Sequence, residues 1–502
     1  MRVSKMGVQM AEEEATVLLT TNVYRHASNP DKQQRVTIKI TEAENTLFRL
    51  LKECIAFNSL KLGGWVRDKL LNVSSKDIDI ALDSMTGIEF CNYLNAFTEQ
   101  HLGFHKTVGI VKRRPEQSKH LETATLNILG FDIDFVNLRS EDYAQDSRIP
   151  VMKIGTPLED AMRRDFTINS LFYNISGNVI EDYTGKGMDD LKAELIRACS
   201  PAFGTFLDDP LRIIRAARFS ARLGYRLDDD IMSAGSHPEV LKQLQNKVAR
   251  PRIAQELYDM LSKGDVPRGF ELMKIWGVLN ILTRENHDDA PSDHQIDTGC
   301  KIMSLLRECL QYVNLGNLDL RVSYLAAFCS PLRDEPMKEK CTYIEHLIKY
   351  RLRLPNKLAS GAKIVVDGSE EFRRIVNNLP RNTPDLREQI GGTIRLIGPL
   401  WKEALLLAIA NEVLHHSGSK PTHVAQKYSD VVATIYQLKL EDAYLVKAPI
   451  TGTELMNLLP GLTPGPKFKE ALDFQINHLL RTPSITKEQL LRCVLERFKT
   501  DI

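Results

Sequence analysis

Gly63-Gly64-Trp65-Val66-Arg67-Asp68, followed ten residues after the arginine by Asp77-Ile78-Asp79-Ile80-Ala81-Leu82, sets the architecture of this chain. The second run alternates with period two, which predicts a strand. Carboxylates at i and i+2 of a strand share a face, so Asp77 and Asp79 stand side by side while Ile78 and Ile80 enter the core. Two neighbouring acids repel unless a cation lies between them. Their hard oxygens suit Mg²⁺, which commonly joins protein carboxylates to substrate phosphates. Upstream, Gly63 and Gly64 let backbone amides approach a phosphate, and Arg67 adds a bidentate cation. Either motif alone is weak, because an exposed pair of acids on a strand is common. Both together, spaced by a turn, a short helix and a strand, are a strong signal.

Around this stretch, residues 60 to 185 have the pattern of a mixed α and β domain. Strand-like runs cover 60–62, 107–111, 123–129 and 131–138, and a helix passes through Phe90, Leu94 and Phe97. Runs 171–175 and 179–183, joined at Ser176-Gly177-Asn178, predict a hairpin. Asp134 is the candidate for a third carboxylate, although Asp132 shares its face and strand register alone does not choose between them. Helical periodicity starts after Thr41 and returns from about residue 190 almost to the end. Residues 1–36 show no sustained period and are expected to be a mobile extension.

A length of 502 residues predicts several domains. Lys and Arg total 66 against 65 Asp and Glu, a formal charge of +1, so any nucleic-acid contact must come from a local cluster of charge. The longest apolar run, Ala404 to Ala410, is far short of the ~20 residues that span a bilayer. A membrane-spanning protein is excluded. Eight scattered cysteines without a CxxC pair argue against a zinc site or disulfide framework and for thiols buried in a reducing compartment. Glu12-Glu13-Glu14 does not suit a mitochondrial transit peptide, and no apolar segment suggests a secretory signal. The expected compartment is the cytoplasm, with the nucleus and mitochondrion left open because Met1, Met6 and Met10 offer alternative starts.

Two further clusters carry chemistry. Arg163-Arg164-Asp165-Phe166-Thr167-Ile168-Asn169-Ser170 offers two arginines to a triphosphate or ribose. Asp208-Asp209-Pro210-Leu211-Arg212, continuing to Arg215 and Arg218, places an arginine every three residues opposite Ile213, Ile214, Ala217 and Ala221. Pro210 suits the first helical position, making Asp209 the natural N-cap, with Asp208 able to share that task. The arginines repel one another until an anionic ligand or a partner carboxylate relieves them. Cytosine and adenine both present an exocyclic amine beside an unprotonated ring nitrogen. A carboxylate next to a guanidinium, such as Asp209 with Arg212, complements that edge. Uracil and guanine meet it donor against donor, which leaves buried polar groups unpaired.

This motif set resembles that of the class II CCA-adding enzymes (tRNA nucleotidyltransferases) of the polymerase-beta-like superfamily. Glu181-Asp182-Tyr-Thr-Gly-Lys-Gly187 and Arg252-x-x-x-Glu256 are similar to two lesser family motifs, and 118–125 with 135–140 resemble the eukaryotic branch. The resemblance covers about residues 60 to 260. It implies an α+β protein: a small mixed α/β nucleotidyltransferase head followed by an all-helical neck, body and tail. The expected boundaries are 1–36 extension, 37–190 catalytic head, 191–265 base-recognising neck, 266–400 body and 401–502 tRNA-binding tail. It implies template-independent addition and repair of the terminal CCA of tRNA from CTP and ATP, with Mg²⁺ as cofactor and two-metal attack of the tRNA 3′-hydroxyl on the α-phosphate. Asp77 and Asp79 would bind metal, with Asp134 as third catalytic acid. Gly63, Gly64, Arg67 and Arg164 would hold phosphates and sugar, while Asp209 and Arg212, supported by Arg215 and Arg218, would read the base. The partner contacts would be the 3′ end and acceptor stem of tRNA, with no membrane. Asp208 stands where many bacterial members have Glu. A bacterial-type poly(A) polymerase shares these motifs but tends to carry a strongly basic carboxy-terminal extension, whereas this chain ends in the mixed-charge run Lys487–Lys499. A catalytically inactive RNA-binding relative is the other alternative, disfavoured by the intact Asp77 and Asp79.

Overall fold

The alternation at Asp77-Ile78-Asp79-Ile80 forms the expected strand, and a nine-stranded sheet is built around it. The computed structural model describes residues 17–26, 29–54, 60–73, 77–83, 85–111, 123–142, 151–285, 291–337, 340–378, 385–416, 420–462 and 464–498. The sheet strands are β1 Val17–His26, β2 Asn29–Thr41, β3 Leu60–Leu62, β4 Asp77–Leu82, β5 Gly109–Val111, β6 Thr123–Ile128 and β7 Phe131–Asn137. β8 Arg139–Asp142 and β9 Val151–Ile154 pair separately, while β10 Leu171–Asn174 and β11 Val179–Asp182 form the expected hairpin in the main sheet. The spatial order is β2-β1-β11-β10-β3-β4-β7-β6-β5. β4 and β7 run parallel at its centre, with Ile78, Ile80, Ile133 and Phe135 at most 1 % exposed.

The amino-terminal expectation needs correction. Residues 17–26 and 29–41 form an antiparallel pair rather than an extension without regular structure. β1 also pairs in parallel with β11, more than 150 residues away, a partner invisible to any local period. Residues 1–16 lie outside the described residues.

Helices close the first unit: α1 Glu42–Cys54, α2 Trp65–Leu70, α3 Gly87–Leu102, α4 Pro157–Met162, α5 Gly187–Lys192, α6 Ala202–Asp208, α7 Leu211–Leu223, α8 Asp229–Gly235 and α9 Pro238–Lys247. A Thr156–Glu159 capping box with Pro157 at the first position fixes the start of α4, and so the direction from which Arg163 and Arg164 leave it. Gly224, at φ 75°, ends α7 in the left-handed conformation that glycine adopts without strain. A short parallel pair, Leu195–Ile196 with Arg226–Leu227, interrupts the helical pattern expected beyond residue 190.

The second compact unit begins at Arg250, inside the stretch 191–265 expected as a neck. Helix α10, Arg250–Ser262, belongs to it because it packs against a later helix. The unit continues with α11 Val266–Ile275, α12 Val278–Thr283, α13 Asp293–Cys309, α14 Leu320–Cys329, α15 Tyr343–His346, α16 Asn356–Asn378, α17 Leu386–Ile397, α18 Trp401–His415 and α19 Pro421–Gln437. α18, with Ala404 to Ala410 all 0 % exposed, is its central helix, flanked by α13, α14 and α16. This explains the apolar run in the sequence: a helix covered on every side needs no polar face. Toward the carboxy terminus, Ile450, Leu455, Leu459, Ala471, Val494 and Phe498 make a smaller core. Among the described residues no helix is long and apolar enough to cross a membrane.

Gly299 of α13 lies where an added Cβ would run into the backbone carbonyl of Phe328 in α14, with the Phe328 carbonyl carbon 3.1 Å away. Alanine normally improves a helix over glycine by about 1 kcal/mol, but here steric overlap outweighs that gain. Gly299→Ala is expected to lower unfolding stability by about 1–3 kcal/mol in urea titration. Gly392→Ala in α17, where nothing lies within 4 Å, is expected to raise it slightly.

Candidate active site

The parallel register of β4 and β7 sets Asp77 opposite Asp132 and Asp79 opposite Asp134. Asp79 is exposed and Asp134 half-buried, both on the face away from the isoleucines. The side chain of Asp77 lies outside the described residues. Thr125 Oγ1 donates to Asp134 Oδ1 at 2.6 Å, and Asn127 Nδ2 donates to Asp132 Oδ1 at 2.7 Å. The register thus brings Asp134 beside Asp79 and Asp132 beside Asp77. Hard carboxylate oxygens with one oxygen of Asp134 already oriented by a threonine are a donor set that fits Mg²⁺. Among the described residues no group of three His, Cys, Asp or Glu converges on one point.

The glycine pair divides its duties. A Cβ on Gly63 would lie 2.6 Å from Arg164 Nη1, so the missing side chain makes room for that guanidinium. Gly64 has helical φ and ψ of −49° and −20°, and a Cβ there would meet nothing within 4 Å. Neither backbone conformation nor protein packing requires glycine at position 64, and its open side is available to a ligand.

The arginines are bound to the protein's own acids. Asp160 of α4, 1 % exposed, takes both Arg163, through Nε at 2.9 Å, and Arg164, through Nε at 3.1 Å and Nη2 at 2.9 Å. Burial pushes its carboxyl up, but the two guanidinium charges outweigh this and hold it below the usual range. Arg164 also donates to the Asn169 carbonyl at 3.0 Å and stacks 4.5 Å from the Phe172 ring. Arg67 is buried rather than presented to solvent. It donates to Asp68 through Nε at 2.9 Å and Nη2 at 2.6 Å, and through Nη1 to Asn169 Oδ1.

Asp165 joins these groups to α7. Its Oδ1 accepts from Phe166 N at 2.8 Å and Asn169 Nδ2 at 2.9 Å; its Oδ2 accepts from Arg215 Nε at 2.9 Å and Nη2 at 2.7 Å. Burial raises its pKa, yet the Arg215 charge and these hydrogen bonds win and hold it at about 2. Arg67, Arg215 and Arg218 all surround the Phe219 ring, at 5.1, 5.7 and 4.5 Å from its centre. The partner carboxylate expected to relieve the stripe is therefore internal for Arg215. Arg212 donates through Nη2 to the Arg163 carbonyl, using one of five N–H groups.

The head of α7 departs from the expected cap. α7 starts at Leu211 after Pro210, and Asp208 closes α6 instead of helping to cap α7. Asp209 sits between the helices, its Oδ1 3.4 Å from Leu211 N, a long and weak contact. Asp165, Asn169, Asp160 and Phe219 were given no role by sequence. Asp160 stands three and four residues before the arginines, a helical pairing signal; the others carry no local one. Cys199, 3.0 Å from Ser170 Oγ, has its thiol pushed up to about 12 by burial and is no nucleophile at neutral pH.

Residues 61–197 match the Poly A polymerase head domain family. The CCA tRNA nucleotidyltransferase, mitochondrial, of Candida glabrata is 40% identical, over 90% of this chain and 95% of its own length. The tRNA nucleotidyltransferase cca1 of Schizosaccharomyces pombe is 32% identical, over 87% and 90%. A crystal structure of the Bacillus stearothermophilus CCA-adding enzyme in complex with CTP shares the fold, with TM-score 0.63 and 19% identity over 92% of this chain and 99% of that one.

Asp165 is held in its charged form well below its ordinary value, so it contributes stability above about pH 4 that fades as pH falls toward 2. Asp165→Asn is expected to cost about 2–3 kcal/mol at pH 7. In urea titrations at successive pH values, the gap to the native protein should narrow as pH falls from ~4 toward 2, the range in which the unfolded chain's carboxyl takes up a proton before the native one does.

Proposed function

The chain belongs to the CCA tRNA nucleotidyltransferase family, and from that premise we propose how its own residues carry out the reaction. The enzyme adds and repairs the 3′-terminal CCA of tRNA, using CTP and ATP without a nucleic-acid template. The 3′-hydroxyl oxygen joins the α-phosphorus, and the bond to pyrophosphate breaks. Residues 17–190, including β1 and β2 of the sheet, serve as the catalytic head, 191–249 as the neck, and the second unit from Arg250 as body and tail, with the tail 401–502 holding tRNA. The observation that carries this reading is the link, through Asp165, between the arginine helix α7 and the loop that precedes Asn169 and Arg67.

Asp77 and Asp79, with Asp134 beside them, are the residues that would hold Mg²⁺. The family uses divalent metal, which when bound lowers the pKa of the attacking hydroxyl and neutralises charge on the phosphates. Gly63 makes room for Arg164, and Gly64 leaves the space a nucleotide phosphate would fill. Arg164, clamped by Asp160, presents a fixed cation to the nucleotide's phosphates or ribose. The burial of Arg67 makes it a positioning residue for the glycine loop, acting through Asp68 and Asn169. Asp209 accepts the exocyclic amine of cytosine or adenine, and a remaining N–H of Arg212 meets the adjacent ring nitrogen. Arg215 and Arg218 hold the helix that carries them. Two relatives have mitochondrial in their names, which makes the mitochondrion a compartment to test first.

A poly(A) polymerase on the same scaffold is the rival reading, although relatives aligned along nearly the whole chain carry the tRNA name. Supplying labelled CTP and ATP to a tRNA that lacks its last three nucleotides decides between them. Addition of C, C and A followed by a stop is expected, and a long run of A overturns the assignment. Asp77→Ala is expected to lower incorporation of both nucleotides by about 10³-fold or more while tRNA affinity stays within about two-fold. Asp209→Ala is expected to reduce discrimination against UTP by about 10- to 100-fold in kcat/KM. Unchanged selectivity with a lowered melting temperature would leave Asp209 a structural role alone.

A further inference from the structure

The second unit carries a group of cations for which the reaction above has no use. Arg351 ends a π-helical turn, Leu347–Arg351, a rare geometry that recurs at functional sites. Its Nη2 donates to the Arg284 carbonyl just after α12, and its Nη1 meets Glu285 at 3.1 Å. Two residues further on, exposed Arg353 has φ 55°, a left-handed conformation that side-chain-bearing residues seldom adopt. Arg250, at the start of α10, donates from Nη2 to the Ile281 carbonyl of α12 at 3.4 Å. Burial, and then the charges of Arg351 and Arg353, push the Arg250 pKa down. Arg250 and Arg351 each keep one buried N–H, Nη1 and Nε, that donates to no acceptor. Among the described residues, Glu285 is the acid that meets Arg351, and its side chain is 65% exposed, so solvent screens the pair. The charges of Arg351 and Arg353 disfavour that of Arg250, and an anion bound among the three relieves the repulsion.

We propose that Arg250, Arg351 and Arg353 form a phosphate-binding site on the second unit, occupied in the working enzyme by a backbone phosphodiester of the tRNA. This rests on tRNA being the substrate. A tetrahedral phosphate accepts several N–H donors at once, and planar guanidinium forks turn toward such a group with little rearrangement. Lys349, 4.9 Å above the exposed Tyr350 ring, extends the positive rim. A net charge of +1 leaves RNA affinity to local clusters of this kind.

Full-length Arg353→Gln, at an exposed position that does not threaten folding, and Arg351→Gln provide the test. Their affinity for tRNA is measured by filter binding across a salt series, and their affinity for CTP separately without tRNA. The expected result is tRNA binding weakened about five-fold or more with a salt slope shallower by about one, and CTP affinity within two-fold of wild type. Unchanged tRNA affinity and slope in both variants overturn the site. Unchanged tRNA binding, with thermal stabilisation by pyrophosphate lost only in the variants, overturns the RNA assignment in favour of a free phosphate. Wild-type protein extends the shortened tRNA in the same preparation if the function is as proposed. Failure there would count against the function, whereas failure of the variants alone counts against this site.

Discussion

A single buried carboxylate, Asp165, holds the catalytic half together. One oxygen takes Arg215 from α7, and the other takes Asn169, whose own oxygen takes Arg67 beside the glycine loop. Three cations thereby surround the Phe219 ring without flying apart. Burial raises the pKa of Asp165, and the guanidinium of Arg215 next to it, with the hydrogen bonds it accepts, keeps the charge.

This coupling matters because a protein that selects bases without a template must hold its reading edge still. Two polar groups discriminate by leaving the wrong base unpaired, and that penalty survives only if neither group can move to accommodate the mismatch. Asp209 immediately precedes α7 and Arg212 lies on its first turn; the next turn is bolted to Asp165, and Arg212 is tied to the Arg163 carbonyl. The same segment, through Asp160, fixes Arg164. In the proposed mechanism, the groups that meet the base and the arginine that meets the phosphates therefore share one frame.

Much of this was legible in the amino-acid order, and what was not has physical reasons. Strand β4 announced itself because Ile and Asp alternate strictly, and the hairpin of β10 and β11 because Gly177-Asn178 sits between two apolar runs, with Asn178 at φ 51°. β1 escaped because its neighbour β11 is distant in sequence. The arginine stripe was visible as a spacing of three, but its neutralising partner was not, since Asp165 and Arg215 are fifty residues apart. Arg67, a natural phosphate ligand by type, turned out to be buried under Phe219. Type suggests chemistry, whereas burial decides whether the group reaches solvent. The parallel register with β4, which no single-strand pattern contains, sets Asp132 opposite Asp77 and Asp134 opposite Asp79, so both acids stay beside the pair.

In the proposed mechanism, Asp209 and Arg212 at the head of α7 replace a template base. A crystal structure of the protein with CTP tests it most directly. The expected density has the cytosine amine on the Asp209 carboxylate and the ring nitrogen on an Arg212 N–H, with the Asp165–Arg215 pair unbroken. A cytosine docked away from α7, or one reached only after that pair has separated, would contradict it.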